Sequence, residues 1–114
     1  MTVEDLREQL ALETLVEGDL SEELDGCYVG DMLSWVMERA EGGNVWLTVM
    51  GNVNSIGVAV MSDIPCIVLT DGASFDEAAK QRAVENQVTV LRTQESSYQT
   101  ALRIAAFYEQ RATV

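Results

Sequence analysis

Two hydrophobic periods trade places along this chain. Apolar residues spaced three and four apart give way repeatedly to short apolar runs bounded by glycine, proline, asparagine and aspartate. The opening segment, "TVEDLREQLAL", is of the first kind: Val3, Leu6 and Leu10 share one helical face, and Thr2 with Asp5 has capping-box spacing. "ETLVEG" reads as a short strand closed by Gly18, "DLSEEL" as a polar connection, and "GCYV" as a second short extended piece. From Asp31, Leu33, Val36, Met37 and Ala40 again follow helical spacing, and Gly42 and Gly43 stop the helix.

"NVWLTVM" has almost no polar face, as expected of a strand covered by helices on both sides. "NVNSIGVAVMSD" suits a helix through Val53, Ile56, Gly57 and Val60, although "IGVAVM" alone would also suit a strand. Pro65 introduces the strand "CIVLT", which ends in an Asp71-Gly72 turn. Ser74 and Glu77 then cap a helix to about Glu85, and "VTVLRT" is the next strand. A last helix, from about Glu95 to Arg111, places Tyr98, Ala101, Leu102, Ala105 and Tyr108 on one side. Strands and helices alternate with connections too short to hold another domain. The expected fold is therefore a single α/β domain over residues 1–114, a three-layer αβα sandwich around a mainly parallel sheet of four to five strands.

Composition narrows the chemistry. The 114 residues are 47% hydrophobic and 23% charged, and no apolar run is long enough to cross a bilayer. The acidic start lacks the basic flank and apolar stretch of a signal peptide, so a soluble, cytoplasmic protein is expected. Cys27 and Cys66 stand outside any C-x-x-C pair and are expected as free, reduced thiols. Nineteen acidic against seven basic residues give a formal charge of −12, which repels phosphate backbones and anionic lipid. Neither nucleic acid nor a membrane is an expected partner.

The chain has no histidine, which removes the commonest general base and the usual nucleophile pairs. It has no G-x-x-x-x-G-K-[ST] loop and no G-x-G-x-x-G, and its one lysine, Lys80, falls inside a helix. Acidic pairs such as Glu22 with Glu23 and Asp76 with Glu77 sit where loops and helix starts favour acid anyway, so no metal and no cofactor is expected.

"DGCYVGDMLSWVM" followed by "NVWLTVMGNVNSIGVAVMSDIPCIVLTDG" resembles the DRTGG domain. The matching positions are Gly26, Tyr28, Val29, Asp31 and Leu33, then Val45, Trp46 and Thr48, then Asn54, Val58 and Ala59. The namesake Thr-Gly-Gly reads Asp25-Gly26-Cys27 here, Gly30 replaces the usual serine before Asp31, and "SEELDG" replaces the Asp-Arg start. The resemblance implies a non-catalytic regulatory module, similar in fold to the N-terminal domain of HPr kinase. Such modules look like dimerising, nucleotide-responsive units that signal to a partner protein, and they occur beside CBS domains in some pyrophosphatases.

The residues themselves allow a compatible role. Gly26 and Gly30 bracket a strand-to-helix turn whose amides point at whatever lies over it, a seat for an anionic group. Gly26, Cys27, Tyr28, Asp31 and Asn54 are the candidate contacts for an adenine nucleotide or other small anion, expected to converge at the carboxyl ends of the strands. The same pattern also allows Asp31 to cap its own helix, Tyr28 to pack at the sheet end and Asn54 to act as a cap. Met32, Trp35 and Trp46 are the candidate homodimer contacts. A ligand-free dimerisation scaffold is the alternative, and an HPr-kinase-related phosphotransfer component a more distant one.

Overall fold

A full capping box starts the first helix, α1 (Val3–Gln9): Thr2 Oγ1 accepts from the Asp5 amide at 3.2 Å, and the Thr2 amide donates to Asp5 Oδ2 at 3.0 Å. In the computed structural model, which describes residues 1–112, nine further elements follow: β1 (Glu13–Val16), β2 (Cys27–Val29), α2 (Leu33–Arg39), β3 (Val45–Thr48), α3 (Val53–Met61), β4 (Cys66–Leu69), α4 (Glu77–Glu85), β5 (Thr89–Arg92) and α5 (Ser97–Ala112). The order and type match the sequence pattern throughout. "NVNSIGVAVM" resolves as helix because Asn52 caps it, its side chain accepting from the Ser55 amide at 3.1 Å.

The five strands form one sheet in the order β1-β5-β4-β3-β2. β2 through β5 are parallel, and β1 joins β5 antiparallel with a register irregularity between Thr14 and Val16. Tyr28, Trp46, Ile67 and Val90 stand in one row across the sheet, and Val29, Leu47, Val68 and Leu91 in the next. Strand side chains alternate faces, so the first row meets α2, α3 and α4 in a core with Val36, Ile56, Ala79 and Ala83. On the other face, Val45, Leu47, Val68 and Leu91 pack with Val3, Leu6 and Leu10 of the first helix and its end, and with Ile104 and Phe107 of the last helix. These are the three layers of the sandwich.

Burial corrects several sequence expectations. Trp46 is no interface residue. It is 0% exposed in a strand covered on both faces, and its Nε1 donates to the Gly30 carbonyl at 2.9 Å. Its burial contributes about 5 kcal/mol as an upper estimate from apolar area. The inward stripe of α5 is Thr100, Ile104 and Phe107, whereas Tyr98 and Leu102 are 68% and 49% exposed. Both stripes are helically periodic, and the position of the sheet selects between them. Helix α2 begins at Leu33 rather than Asp31, and α4 takes Asp76 rather than Ser74 as its N-cap residue, without a side-chain cap bond.

Candidate functional site

The carboxyl edge of the sheet holds the polar residues that end each strand. Thr48 ends the apolar run of β3 and is 1% exposed, so its hydroxyl needs a partner. Asp31 supplies it. Thr48 Oγ1 donates to Asp31 Oδ1 at 2.7 Å, and the Val49 amide donates to the same oxygen at 3.0 Å. The Met50 amide in turn donates to Thr48 Oγ1 at 3.1 Å. Asp31 therefore does not cap its own helix, whose N-cap residue is Met32 without a side-chain bond. It clasps the end of β2 to the end of β3 and fills, with a carboxylate, the place where the β3 loop offers a hydroxyl and an amide.

Two further closures follow along this edge. A Cβ on Gly51 would stand 2.1 Å from the Ser74 carbonyl oxygen, and the Asp76 amide donates to the Gly51 carbonyl at 3.0 Å. Only glycine lets the β3–α3 and β4–α4 loops approach so closely. Next to them, the chain leaves β4 for the α4 layer but leaves β5 for the α5 layer, so adjacent connections part to opposite faces, the arrangement that opens a ligand crevice in many α/β sheets. Here backbone bonds cross that point: Asp71 N–H to Glu95 O at 2.8 Å and Gly72 N–H to Thr93 O at 2.9 Å. Positive φ at Asp71 (55°) and Gly72 (61°), with Ala73 N–H bonding back to Thr70 O at 3.1 Å, shapes the turn that makes them. Arg92 joins the same edge, its guanidinium donating to both Glu13 oxygens at 2.9 and 3.0 Å and to the Ala73 carbonyl at 3.2 Å. That pairing holds the Glu13 carboxyl below its ordinary value.

The candidate contacts do not converge. Asp31 lies at the carboxyl edge and Asn54, exposed in the first turn of α3, lies beside it. Gly26 and Cys27 sit at the amino end of β2, a strand length of roughly 10 Å away. The expectation that two strand-to-helix turns would bring all five candidates together fails because β2 occupies the residues between Gly26 and Gly30 and leaves Gly26 and Cys27 at the opposite edge. Gly26, at φ 72°, makes its turn against the last helix instead: the Tyr108 hydroxyl donates to its carbonyl at 2.8 Å, and a Cβ would meet Asn44 Nδ2 at 2.9 Å. Lost hydration raises the Tyr108 hydroxyl, with the nearby Cys27 and Asp25 adding to it. Cys27 is exposed as a residue, yet desolvation at its sulfur raises the thiol to about 11; the buried Cys66 thiol is raised further, first by burial and then by Glu22. Tyr28 packs against the α2–α4 core, close enough to Gly30 that a Cβ there would meet its ring at 3.0 Å.

The amino edge carries a cleft of about 190 Å³ lined by Glu22, Asp63, Ile64, Pro65, Asn86 and neighbouring residues. Burial, then Asp19 and Asp63, raise the Glu22 carboxyl there. Among the described residues no three His, Cys, Asp or Glu side chains gather as a metal site, and no helix is long and apolar enough to cross a membrane. Sequence reasoning placed Thr48 in the family pattern without reading its role at this edge, and missed Gly51 and Asn52. A threonine closing an apolar run and an asparagine just before a helical period were the available signals for two of them; the role of Gly51 depends on a loop distant in sequence.

The sequence pattern of the DRTGG domain matches residues 5–107. No curated protein sequence matches the chain. Among solved structures, the fold is similar to the crystal structure of the CBS and DRTGG domains of the regulatory region of Clostridium perfringens pyrophosphatase, complexed with its activator diadenosine tetraphosphate. The TM-score is 0.70 at 14% identity, over 90% of this chain and 45% of that one. The present chain thus spans less than half of that region. With the family pattern running from Asp5 to Phe107 of a 114-residue chain, and the same α/β architecture in a solved DRTGG-containing region, this protein belongs to the DRTGG domain family.

Proposed function

We propose that this chain is a non-catalytic regulatory domain, homodimeric, that binds an adenine nucleotide or similar small phosphorylated ligand and signals to a partner protein. The observation that carries the reading is the match of fold, over 90% of the chain, to a regulatory region complexed with a nucleotide activator. The ligand seat in this reading is the carboxyl edge around Asp31, the loop from Val49 to Asn52, and Asn54. There a ligand anion would compete with the Asp31 carboxylate for the Thr48 hydroxyl and the Val49 amide, so binding would loosen the clasp between β2 and β3. Local amides act at contact range, whereas the dispersed negative surface is screened beyond roughly 8 to 10 Å at physiological salt.

Titration calorimetry with adenine and guanine nucleotides and diadenosine tetraphosphate, with and without Mg²⁺, tests it. Binding by the wild type, altered in Asp31→Ala and Asn54→Ala, is the expected result. Equal binding by all three proteins would move the site away from this edge. No binding of any nucleotide would favour the second reading, a ligand-free dimerisation scaffold, which has its own support in the closures at Asp31, Gly51 and Asp71-Gly72. Hydrolysis of ATP or transfer of its phosphate would overturn the non-catalytic reading in favour of a phosphotransfer component.

A further inference from the structure

β2 is an edge strand with β3 on one side only. The Gly30 amide donates to Leu47 O at 3.2 Å and the Val45 amide to Gly26 O at 3.4 Å, so alternate residues of this segment bond inward. In a parallel ladder the intervening residues turn their backbone groups the other way. The N–H and C=O of Cys27 and Val29 therefore face out from the sheet edge, with the Tyr28 backbone facing in. Beside this edge, α2 is the end helix of its layer, packed on α3. Leu33, Val36 and Ala40 turn toward the core, and helical spacing places Met32, Trp35 and Arg39 together on the flank opposite Met37. A right-handed β2–α2–β3 connection makes that flank the one overhanging the free edge. Val29, Met32 and Trp35 are 49%, 57% and 47% exposed.

We propose that a second copy of this chain docks here, edge to edge about a two-fold axis through Tyr28, joining the two five-stranded sheets into one. This rests on the homodimer of the preceding reading and specifies its surface. In antiparallel register, Cys27 lies opposite the partner's Val29 and Val29 opposite the partner's Cys27, so each pair exchanges two hydrogen bonds. Tyr28 then faces its own copy. The same axis, perpendicular to the sheet, brings the two α2 flanks together on one face and covers Met32 and Trp35 with their counterparts. An unrelated extended peptide would satisfy the strand edge but leave that helix flank bare. Charge favours the fit. In a chain of net charge −12, residues 26–30 and the apolar flank carry no carboxylate, the exposed Asp31 beside them has its carboxylate engaged by the Thr48 hydroxyl and the Val49 amide, and the flank's one charge is Arg39, its guanidinium carbon 4.0 Å from the Trp35 ring centroid. Two such surfaces meet without the acid-on-acid repulsion that the remaining surface imposes.

Sedimentation of the wild type at concentrations from about 1 to 100 μM, a range bracketing ordinary dimer affinities, should show a dimer. Trp35→Asp should be folded and monomeric. Val29→Pro removes only an outward N–H, a change that edge strands tolerate, and should weaken the dimer at least tenfold. Leu102→Asp, on the exposed face of α5, should leave it intact. In the wild-type dimer, hydrogen exchange at the Cys27 and Val29 amides should be slow, becoming fast in Trp35→Asp; this reading does not depend on how well the proline variant folds. A monomeric wild type would overturn both the interface and the homodimer. A dimer with fast exchange at those two amides, or one unaffected by Trp35→Asp, would overturn this interface alone, and the nucleotide titration would stand as an independent result.

Discussion

Removing the Asp31 carboxylate is the perturbation with the most direct structural consequence. Asp31→Ala deletes the acceptor of the Thr48 hydroxyl, at 2.7 Å, and of the Val49 amide, at 3.0 Å. Hydrogen bonds to a charged group contribute about 1.5–3 kcal/mol each when buried, and the exposure of Asp31 reduces both. Thr48 keeps its bond from the Met50 amide but is left with a buried hydroxyl hydrogen and no acceptor. The net cost should be roughly 2 kcal/mol, a fall in Tm of roughly 6–10 °C for a domain of this size. Asp31→Asn keeps an oxygen acceptor and should lose about half as much. Urea unfolding followed by tryptophan fluorescence measures both variants, since the buried Trp46 lies two residues before Thr48 on the same face of β3. If Asp31→Ala unfolds within about 0.5 kcal/mol of wild type, the usual scatter of surface substitutions, the clasp contributes nothing to stability and Asp31 does not tie β2 to β3. Loss of nucleotide binding with unchanged stability would instead make Asp31 a direct ligand contact.

Gly51→Ala should destabilise by roughly 2 kcal/mol or more, because the new Cβ would overlap the Ser74 carbonyl oxygen, a backbone atom that cannot swing aside as a side chain could; thermal unfolding checks it. Glu22→Gln should stabilise the fold at neutral pH. Its folded-state pKa is raised, so the ionised form is penalised on folding; the variant's advantage is full above the folded pKa and disappears as pH falls below the ordinary value near 4.5, which urea titrations across that range will show. Thiol labelling at neutral pH should be slow at Cys27, accelerating toward pH 11, and absent at Cys66 until the protein unfolds. Rapid labelling of both thiols in the native state would contradict the packing described.

Much of the architecture was legible along the chain because local physics specified it. Thr2 and Asp5 cap the first helix as their spacing predicts, the runs "VWLT" and "CIVL" are strands buried at every position, and Asp71-Gly72 makes the turn that its residue types favour. The family pattern was legible for the same reason, since it consists of turns and apolar periods in a fixed order. Other features depended on contacts between residues distant in sequence. Both stripes of α5 were periodic, and only the position of the sheet made Ile104 and Phe107 inward and Tyr98 outward. Trp46 stood in a run expected to be covered on both faces and was also a candidate dimer contact; the two layers that close over it make it core. Gly26 and Asp31 are five residues apart, yet the strand between them carries them to opposite edges, where Tyr108 and Thr48 become their partners. Periodicity determines which residues are buried together along an element. Which edge of the sheet a side chain reaches, and which distant group meets it there, is decided only when the strands align.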